Sequence, residues 1–466
     1  MAETPSQNIP TPRTQLLRIL GADFGLAAVV GGTIGVGILR LPGTVAAQLG
    51  SFWPIVAVWV AGGTYALLGS LSVAELAAML PQAGGFYVYG KRAFGEMAGF
   101  TVGWGDWLNN CATLAYASYA SAEFLVLLVP KISSSPRTIA LILLVGFTAM
   151  HWIGLRISSA AQKLTSASAA ITLLILAAAC FLFHGSAAQT PAAAAVASAN
   201  SAVVPAPGLF SLRLFPILAG FIIALRSVIV TYDGWYEAIY FTEEDQNPAK
   251  NLPRVLIGGV LLVMGIYLIL NLAFLRALGI PALAASTLPA ADAARIVFTS
   301  WSGKFVTLLS LLTVLSLLNC VLLGTPRILY AIGRDGLFTH KAAEVSTGGT
   351  PRAALLISTG AALLLVAWGT FEILVAIDAV LFVAIYCVAY SAVFVLRRKE
   401  PELRRPFRAW GYPWTTAIVL IGSCLFLVGA AASDPRNTFY GVALLAISVP
   451  TYLWKRRARA QAAAAR

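Results

Sequence analysis

Apolar residues run through this chain in long blocks rather than in the short alternations of strands. A spanning helix needs about 20 mostly apolar residues, because the hydrocarbon core is roughly 30 Å thick and each residue rises about 1.5 Å. The blocks reach that length repeatedly, and the roughly 10-residue alternating segments of a membrane barrel are absent. In lipid a helix satisfies its own backbone groups, so the spans are predicted to be helical. Twelve are predicted: 22–48, 52–79, 98–129, 137–156, 160–183, 214–241, 254–275, 303–332, 353–369, 373–396, 414–432 and 438–454. The first 20 residues are polar and lack a signal-peptide core with a small-residue cleavage site, so the first block is expected to stay as a span. Residues 185–208, an Ala/Ser/Pro stretch of low complexity, are expected to form a flexible outer loop. No second domain is visible.

Composition agrees with that pattern. The 466 residues are 59% hydrophobic and 11% charged, with a mean hydropathy of +0.82. A soluble domain carries about 25% charged residues to meet water. An even number of spans puts both termini on one side, and most of the 32 Lys/Arg fall on that side. The densest groups are Arg397, Arg398, Lys399, Arg404, Arg405 and Arg408, and the tail Lys455, Arg456, Arg457 and Arg459. The positive-inside rule then makes both termini cytoplasmic, and the short tails suggest a prokaryotic inner membrane. Anionic lipid headgroups account for the net charge of +13, with no nucleic-acid partner. Trp53, Trp301, Trp410, Trp414 and Trp454 fall near span ends, where amphipathic rings favour the interface.

The chemistry that composition excludes is broad. Cys111, Cys180, Cys320, Cys387 and Cys424 all lie in apolar blocks, so no disulfide framework is expected. His151, His184 and His340 are scattered, and no His/Cys set has metal-ligand spacing. A Walker-type phosphate loop is missing as well. Neither a cofactor nor a metal is expected, and no nucleophile constellation argues for an enzyme.

Two spans are interrupted. The first carries Gly31, Gly32, Gly35 and Gly37 around Thr33, followed by Pro42. Gly costs a helix about 1 kcal/mol against Ala and Pro about 3 kcal/mol, so the span is expected to unwind near its centre. Unwound backbone at mid-membrane is tolerated where it lines a cavity or is buried by protein. It frees amides at the start of the outer half-helix, at the positive end of its dipole, which suits a carboxylate. The sixth span carries Asp233-Gly234-Trp235 near its centre, 199 residues from the first break when Gly35 and Gly234 are compared. Paired interruptions in two halves point to the binding site of a transporter built from inverted repeats. Tight helix packing is the competing reading of the glycines. GGTIGVG also resembles a dinucleotide loop, but no βαβ unit surrounds it.

These residues resemble the amino acid–polyamine–organocation superfamily, and within it the L-amino acid transporter-like permeases. The likeness rests on Gly32-Thr33-Ile34-Gly35-Val36-Gly37-Ile38 with Pro42-Gly43, and on Ala74-Glu75-Leu76 leading into Leu80-Pro81-Gln82-Ala83-Gly84-Gly85. It continues through Tyr87-Val88-Tyr89, Ala93-Phe94-Gly95 and Tyr232-Asp233-Gly234-Trp235. Thr242-Glu243-Glu244 with Asn247-Pro248 and Asn251-Leu252-Pro253-Arg254 follows, then Pro326-Arg327 through Gly333-Arg334-Asp335-Gly336. The resemblance implies an all-α polytopic membrane protein of about twelve transmembrane helices, a LeuT-like 5+5 inverted repeat with helices 1 and 6 broken. Residues 1–466 would form one transporter domain, with 22–183 and 214–396 as the repeats and 414–454 as two extra helices. It also implies a substrate site. The amides of Gly35, Val36 and Gly37 would hold an amino acid's carboxylate, and carbonyls of Thr33 and Val230, with Asp233, its ammonium; Tyr232 joins that set. Val36, Val230 and Leu39 replace the family's small polar and aromatic residues, which implies a pocket of different shape. The lysine that relatives carry seven residues after a span 5 glutamine is missing, since counting from Gln162 reaches Ala169. No cysteine lies between spans 3 and 4, so a disulfide-linked helper subunit is not expected.

Ionisable groups inside a membrane are expensive and are functional candidates by default. Asp233 is expected to orient substrate or take up a proton; the plainer alternative is a cap on the half-helix. Arg40 and Arg226 are gating candidates that would otherwise snorkel to the outer interface. Glu75, Glu243, Glu244 and Arg334 are assigned to an inner gate or to loop contacts. Asn319 either faces the site or bonds between helices, and Tyr116 and Tyr119 are read as packing residues. The leading expectation is a secondary amino acid carrier working by alternating access. The alternatives are an amino-acid-binding membrane sensor without transport, or a carrier of another small amine or organic solute. A channel should show a continuous polar stripe, which is absent.

Overall fold

The first apolar block folds as two helices, α1 (Ala22–Thr33) and α2 (Gly37–Leu49), which meet at a bend of 47°. In this computed structural model the described residues are 15–129, 131, 134–182, 214–298, 302–368 and 371–464. The expected outer loop 185–208, the first 14 residues and Trp301 lie outside them. The remaining helices are α3 (Phe52–Met79), α4 (Phe86–Phe94), α5 (Glu96–Leu128), α6 (Pro136–Ile153), α7 (Leu155–Leu182) and α8 (Leu214–Thr231). They continue with α9 (Pro248–Ala285), α10 (Pro289–Phe298), α11 (Ser302–Arg334), α12 (Arg352–Trp368), α13 (Phe371–Lys399), α14 (Trp414–Ser433), α15 (Pro435–Ala446) and α16 (Ser448–Ala464). Among the described residues there is no strand, only an isolated bridge between Leu20 and Asp245.

Eight of the described helices are long and apolar enough to cross a membrane, and the bent α1–α2 pair makes a ninth. The sixth and twelfth predicted spans depart from single long helices. The sixth stops as α8 at Thr231, turns through Tyr232–Tyr236 and resumes as a short 3-10 helix, Glu237–Phe241. Gly234 sits there at φ +91°, a conformation that glycine adopts without a Cβ penalty. The ninth predicted span is the single helix α12. The twelfth splits at Ile447, because Pro450 has no N–H to return to Ala446 and its ring crowds that carbonyl. Two short helices fall between predicted spans. α4 follows Gly84 and Gly85, both at positive φ, and α10 follows a kink at Gly279 in α9.

The break in the first span has a local cause and a tertiary one. Ile34 closes α1 by donating to Val30 O at 2.9 Å and then turns to an extended ψ of 98°. Gly31 and Gly32 are packing glycines. A Cβ on Gly31 would strike Gln162, Ser166 and Ser316, and one on Gly32 would sit 2.9 Å from Gly234 O. Both readings of the glycine cluster therefore hold, at different positions. Tyr267 on α9 ties the two breaks together, its hydroxyl donating to Thr33 O at 2.9 Å and Thr231 O at 3.2 Å. α5, α11 and α13 pack around this crossing, while α14 presents Ile418, Ile421, Leu425 and Val428 outward, an apolar face suited to lipid.

Candidate substrate site

A cavity of about 250 Å³ opens between the two breaks. Thr33, Gly35, Val36, Gly37 and Arg40 line it from the first broken span, and Val230, Thr231, Asp233, Gly234, Tyr236 and Glu237 from the sixth. α5 adds Asn110, Thr113 and Tyr116, α11 adds Leu317 and Val321, and α13 adds Asp378 and Phe382. Arg40 is the exposed member of this lining, so the cavity meets the surface on the α2 side.

The backbone at the break is unspent. The amides of Gly35, Val36 and Gly37 make no backbone hydrogen bond among the described residues, and the start of α2 has no side-chain cap. A helix N-terminus in that condition offers aligned donors to an anion. Of the carbonyls freed nearby, Thr33 O and Thr231 O already accept from Tyr267, which leaves each a second lone pair.

Three carboxylates share the cavity. Asp233 accepts a short hydrogen bond from the Tyr386 hydroxyl. Asp378 accepts from Thr113 Oγ1 at 2.8 Å, and the Asn109 amide, oriented to satisfy both its ends, donates to Asp378 Oδ1 at 3.0 Å. Glu237 is only 2% exposed, and its one hydrogen-bond contact among the described residues is the Cys320 thiol at 3.9 Å from Oε2. One layer behind, Asp106 Oδ1 accepts from Tyr240 at 2.7 Å and Asn110 at 3.2 Å, while Oδ2 has no partner among the described residues.

The sequence-derived site residues divide in two. Thr33, Gly35, Val36, Gly37, Arg40, Val230 and Asp233 come together on the cavity wall. Tyr232 does not: it is buried against Trp59 and Tyr267, and its hydroxyl donates to Trp59 O at 3.3 Å. Arg226 is exposed on α8, 5.6 Å from the centre of the Phe426 ring. Asn319 is spent between helices, its Oδ1 accepting from His151 Nε2 at 2.8 Å and its amide nitrogen donating to Gln162 Oε1 at 2.7 Å. Tyr116, read as packing, lines the cavity instead. Glu237, Asp378, Asn110 and Phe382 line the cavity without a site role expected of them from the sequence, although Glu237 and Asp378 are ionisable groups inside predicted spans. Glu237 lies three residues past Gly234, at the resumption of the sixth span, and the packing of α5 and α13 against the crossing brings in the other three.

At the far end of the bundle from Arg40 the scattered motifs converge. Thr242 Oγ1 donates to Gln82 O at 2.6 Å, and Ala83 N donates to Glu243 at 3.0 Å. Arg334 pairs with Glu243 at 2.8 Å, and Lys91 with Asp335 at 2.7 Å. Arg327 and Glu244 form a bidentate pair at 2.9 Å with both side chains buried. Glu75 takes Arg397 at 2.5 Å and the Ala409 amide at 2.7 Å.

A broken first span crossing a broken sixth, a cavity at the crossing and these convergent motifs define a multi-pass membrane permease. The amino acid permease family model matches residues 24–450, and the chain belongs to that family. It is 26% identical over 450 residues to the serine/threonine exchanger SteT of Bacillus subtilis, which covers 96% of this chain and 98% of the relative. It is 25% identical over 445 residues to the mouse b(0,+)-type amino acid transporter 1, covering 93% and 87%. Identity to the mouse Asc-type amino acid transporter 1 is 24% over 453 residues, covering 94% and 81%.

Proposed function

We propose that this protein is a secondary transporter that moves amino acids across the membrane by alternating access. The carrying observation is the cavity between the two breaks, with amides at Gly35, Val36 and Gly37 that have no backbone partner among the described residues on one wall and Asp233 on the other. In this reading the substrate carboxylate docks on those amides at the α2 N-terminus. Its ammonium meets the remaining lone pairs of Thr33 O and Val230 O and the Asp233 carboxylate. The names of the relatives, exchangers and transporters of amino acids, support the same substrate class. One 5+5 inverted repeat, with 22–183 and 214–396 as its halves, accounts for the matched positions of the breaks.

The ion pairs at the motif end form the inner gate. With Arg334–Glu243, Lys91–Asp335 and Arg327–Glu244 in place, that end is closed while the Arg40 side is open. Inward opening requires the two less buried pairs to part, and exposed pairs cost only about 0–1 kcal/mol each to break, which suits a gate. The buried Arg327–Glu244 pair is better placed to move as one body.

The test is uptake of radiolabelled amino acids into proteoliposomes, with and without unlabelled amino acid inside and with and without a pH gradient. Saturable uptake is expected. Uptake only with internal substrate identifies an exchanger. Binding without flux favours the sensor, and failure of every amino acid to bind or move with folded protein ends the amino acid reading.

A further inference from the structure

The charge of the cavity is lopsided. Among the described residues, Asp233, Glu237 and Asp378 line it, against Arg40 alone at its mouth. None of these three carboxylates belongs to an ion pair among the described residues. They are not equivalent. Asp233 has the Tyr386 hydroxyl, and Asp378 has Thr113 and Asn109. Neutral donors thus hold those two in place. Glu237 has only the Cys320 thiol at 3.9 Å, and that thiol's single proton has a nearer acceptor, Ala28 O, at 3.4 Å. Its Oε1 has no hydrogen bond among the described residues.

A buried carboxylate left without a donor is costly, and native interiors rarely leave one. The surroundings of Glu237 supply no internal answer. Asp106 and Asp233 are its charged neighbours, both of its own sign. Gly324 lies beside it, where a Cβ would come 3.2 Å from Glu237 Oε2, so glycine keeps that side of the carboxylate clear. Tyr236 and Phe382 line the same cavity, and aromatic rings tolerate a cation that aliphatic walls would not.

We infer that Glu237, backed by Asp378, forms a subsite for a second positive charge on the substrate, so that the protein carries dibasic amino acids. This rests on the amino acid transport reading above. The α-carboxylate and α-ammonium occupy the helix breaks, and the side-chain ammonium or guanidinium reaches Glu237. A charge-assisted hydrogen bond then satisfies the orphan oxygen, and binding removes the like-charge excess of the cavity. An acidic side chain at the same place would meet three carboxylates.

The experiment is proteoliposome uptake of lysine, ornithine and arginine beside alanine and serine, at two external pH values, for the unaltered protein and for Glu237→Gln. The expected result is saturable dibasic uptake, with lysine competing against alanine. Glu237→Gln keeps the shape and removes the charge, and should lower the lysine-to-alanine ratio of kcat/KM by about tenfold or more. Asp378→Asn should lower it less, because neutral donors already hold Asp378. Neutral amino acids that move while dibasic ones neither move nor compete would overturn the subsite and leave the transport reading intact. An unchanged ratio in Glu237→Gln, with loss of pH-driven alanine uptake, would overturn it in favour of a proton carrier. Failure of all five amino acids would strike the transport reading itself.

Discussion

Gly234 is the residue on which the crossing depends most. Its φ of +91° disfavours any side chain, and a Cβ there would lie 2.6 Å from the Gly32 carbonyl carbon. Forced left-handed backbone alone costs about 1–3 kcal/mol, before the clash. Gly234→Ala is expected to lower the melting temperature of the detergent-purified protein and to abolish uptake, whereas Gly35→Ala meets only Leu317 at 3.9 Å. That second variant should purify and melt normally yet bind substrate more weakly, since Ala favours helix over an unwound break by about 1 kcal/mol. A melting curve and a binding isotherm for the pair separate the two roles. The Arg327–Glu244 pair makes a different case. Truncating one partner leaves a buried charge and costs about 3–5 kcal/mol, while replacing both with apolar residues of similar size costs much less. Glu244→Leu should therefore express poorly, and adding Arg327→Met should restore folded protein; equal yields from single and double variants would show that the pair is not the buried, dry contact described here.

Between elements, the tie that matters is Tyr267. One hydroxyl on α9 serves the last carbonyls of both α1 and α8, so three elements share one donor. Tyr267→Phe keeps the ring against Trp59 and Tyr232 and removes only that donor. The expected loss is about 1–3 kcal/mol, because two buried carbonyls lose a partner. Thermal melting with and without substrate checks it, and a substrate-induced rise in melting temperature larger than in the unaltered protein would mean that ligand now orders the breaks. At this scale the sequence reading was strongest where chemistry opposes helix. Gly35, Gly37 and Asp233-Gly234 announced the breaks because helix is costly there wherever the chain goes. It was weakest for side-chain direction. Tyr232, beside the second break, turns toward Trp59, while Tyr116, in the middle of a helix, lines the cavity, and tertiary packing decides both.

Across the whole molecule, the bundle is held at one end by ion pairs and is apolar over much of the rest. α13 and α14 pack side by side with Cys387 Sγ 3.8 Å from Cys424 Sγ. Mild oxidation in the membrane is expected to join them in an intramolecular disulfide, read by mass spectrometry after alkylation, because the sulfurs are already close enough to bond with small side-chain rotations. The buried Cys111, Cys180 and Cys320 should react only after denaturation. Absence of the cross-link under oxidation, with both thiols still alkylable, would contradict the packing of α13 on α14. At the motif end, Arg334→Ala should raise the labelling of a cysteine introduced at Val230 by a reagent applied from the Glu243 side, since it removes one of the pairs that close that face.

The all-helical membrane character was determined by composition and block length alone, because lipid admits little else for apolar runs of this size. The helix breaks were legible too, since Gly, Pro and a charge act locally on the backbone. What gathers around those breaks was not. Glu237 lies just past the second break with nothing local to say where its side chain goes, Asp378 near the start of a long apolar helix, and Asn110 in the middle of another. Their meeting depends on how α5, α11 and α13 lean on the crossing, over separations of more than a hundred residues. The motif residues show the same division. Gln82, Thr242, Glu243, Arg334 and Asp335 each stood out along the chain, but their pairing into one closed end was decided by the tertiary structure. Charges find partners through space, and a pattern along one chain records only which of them need one.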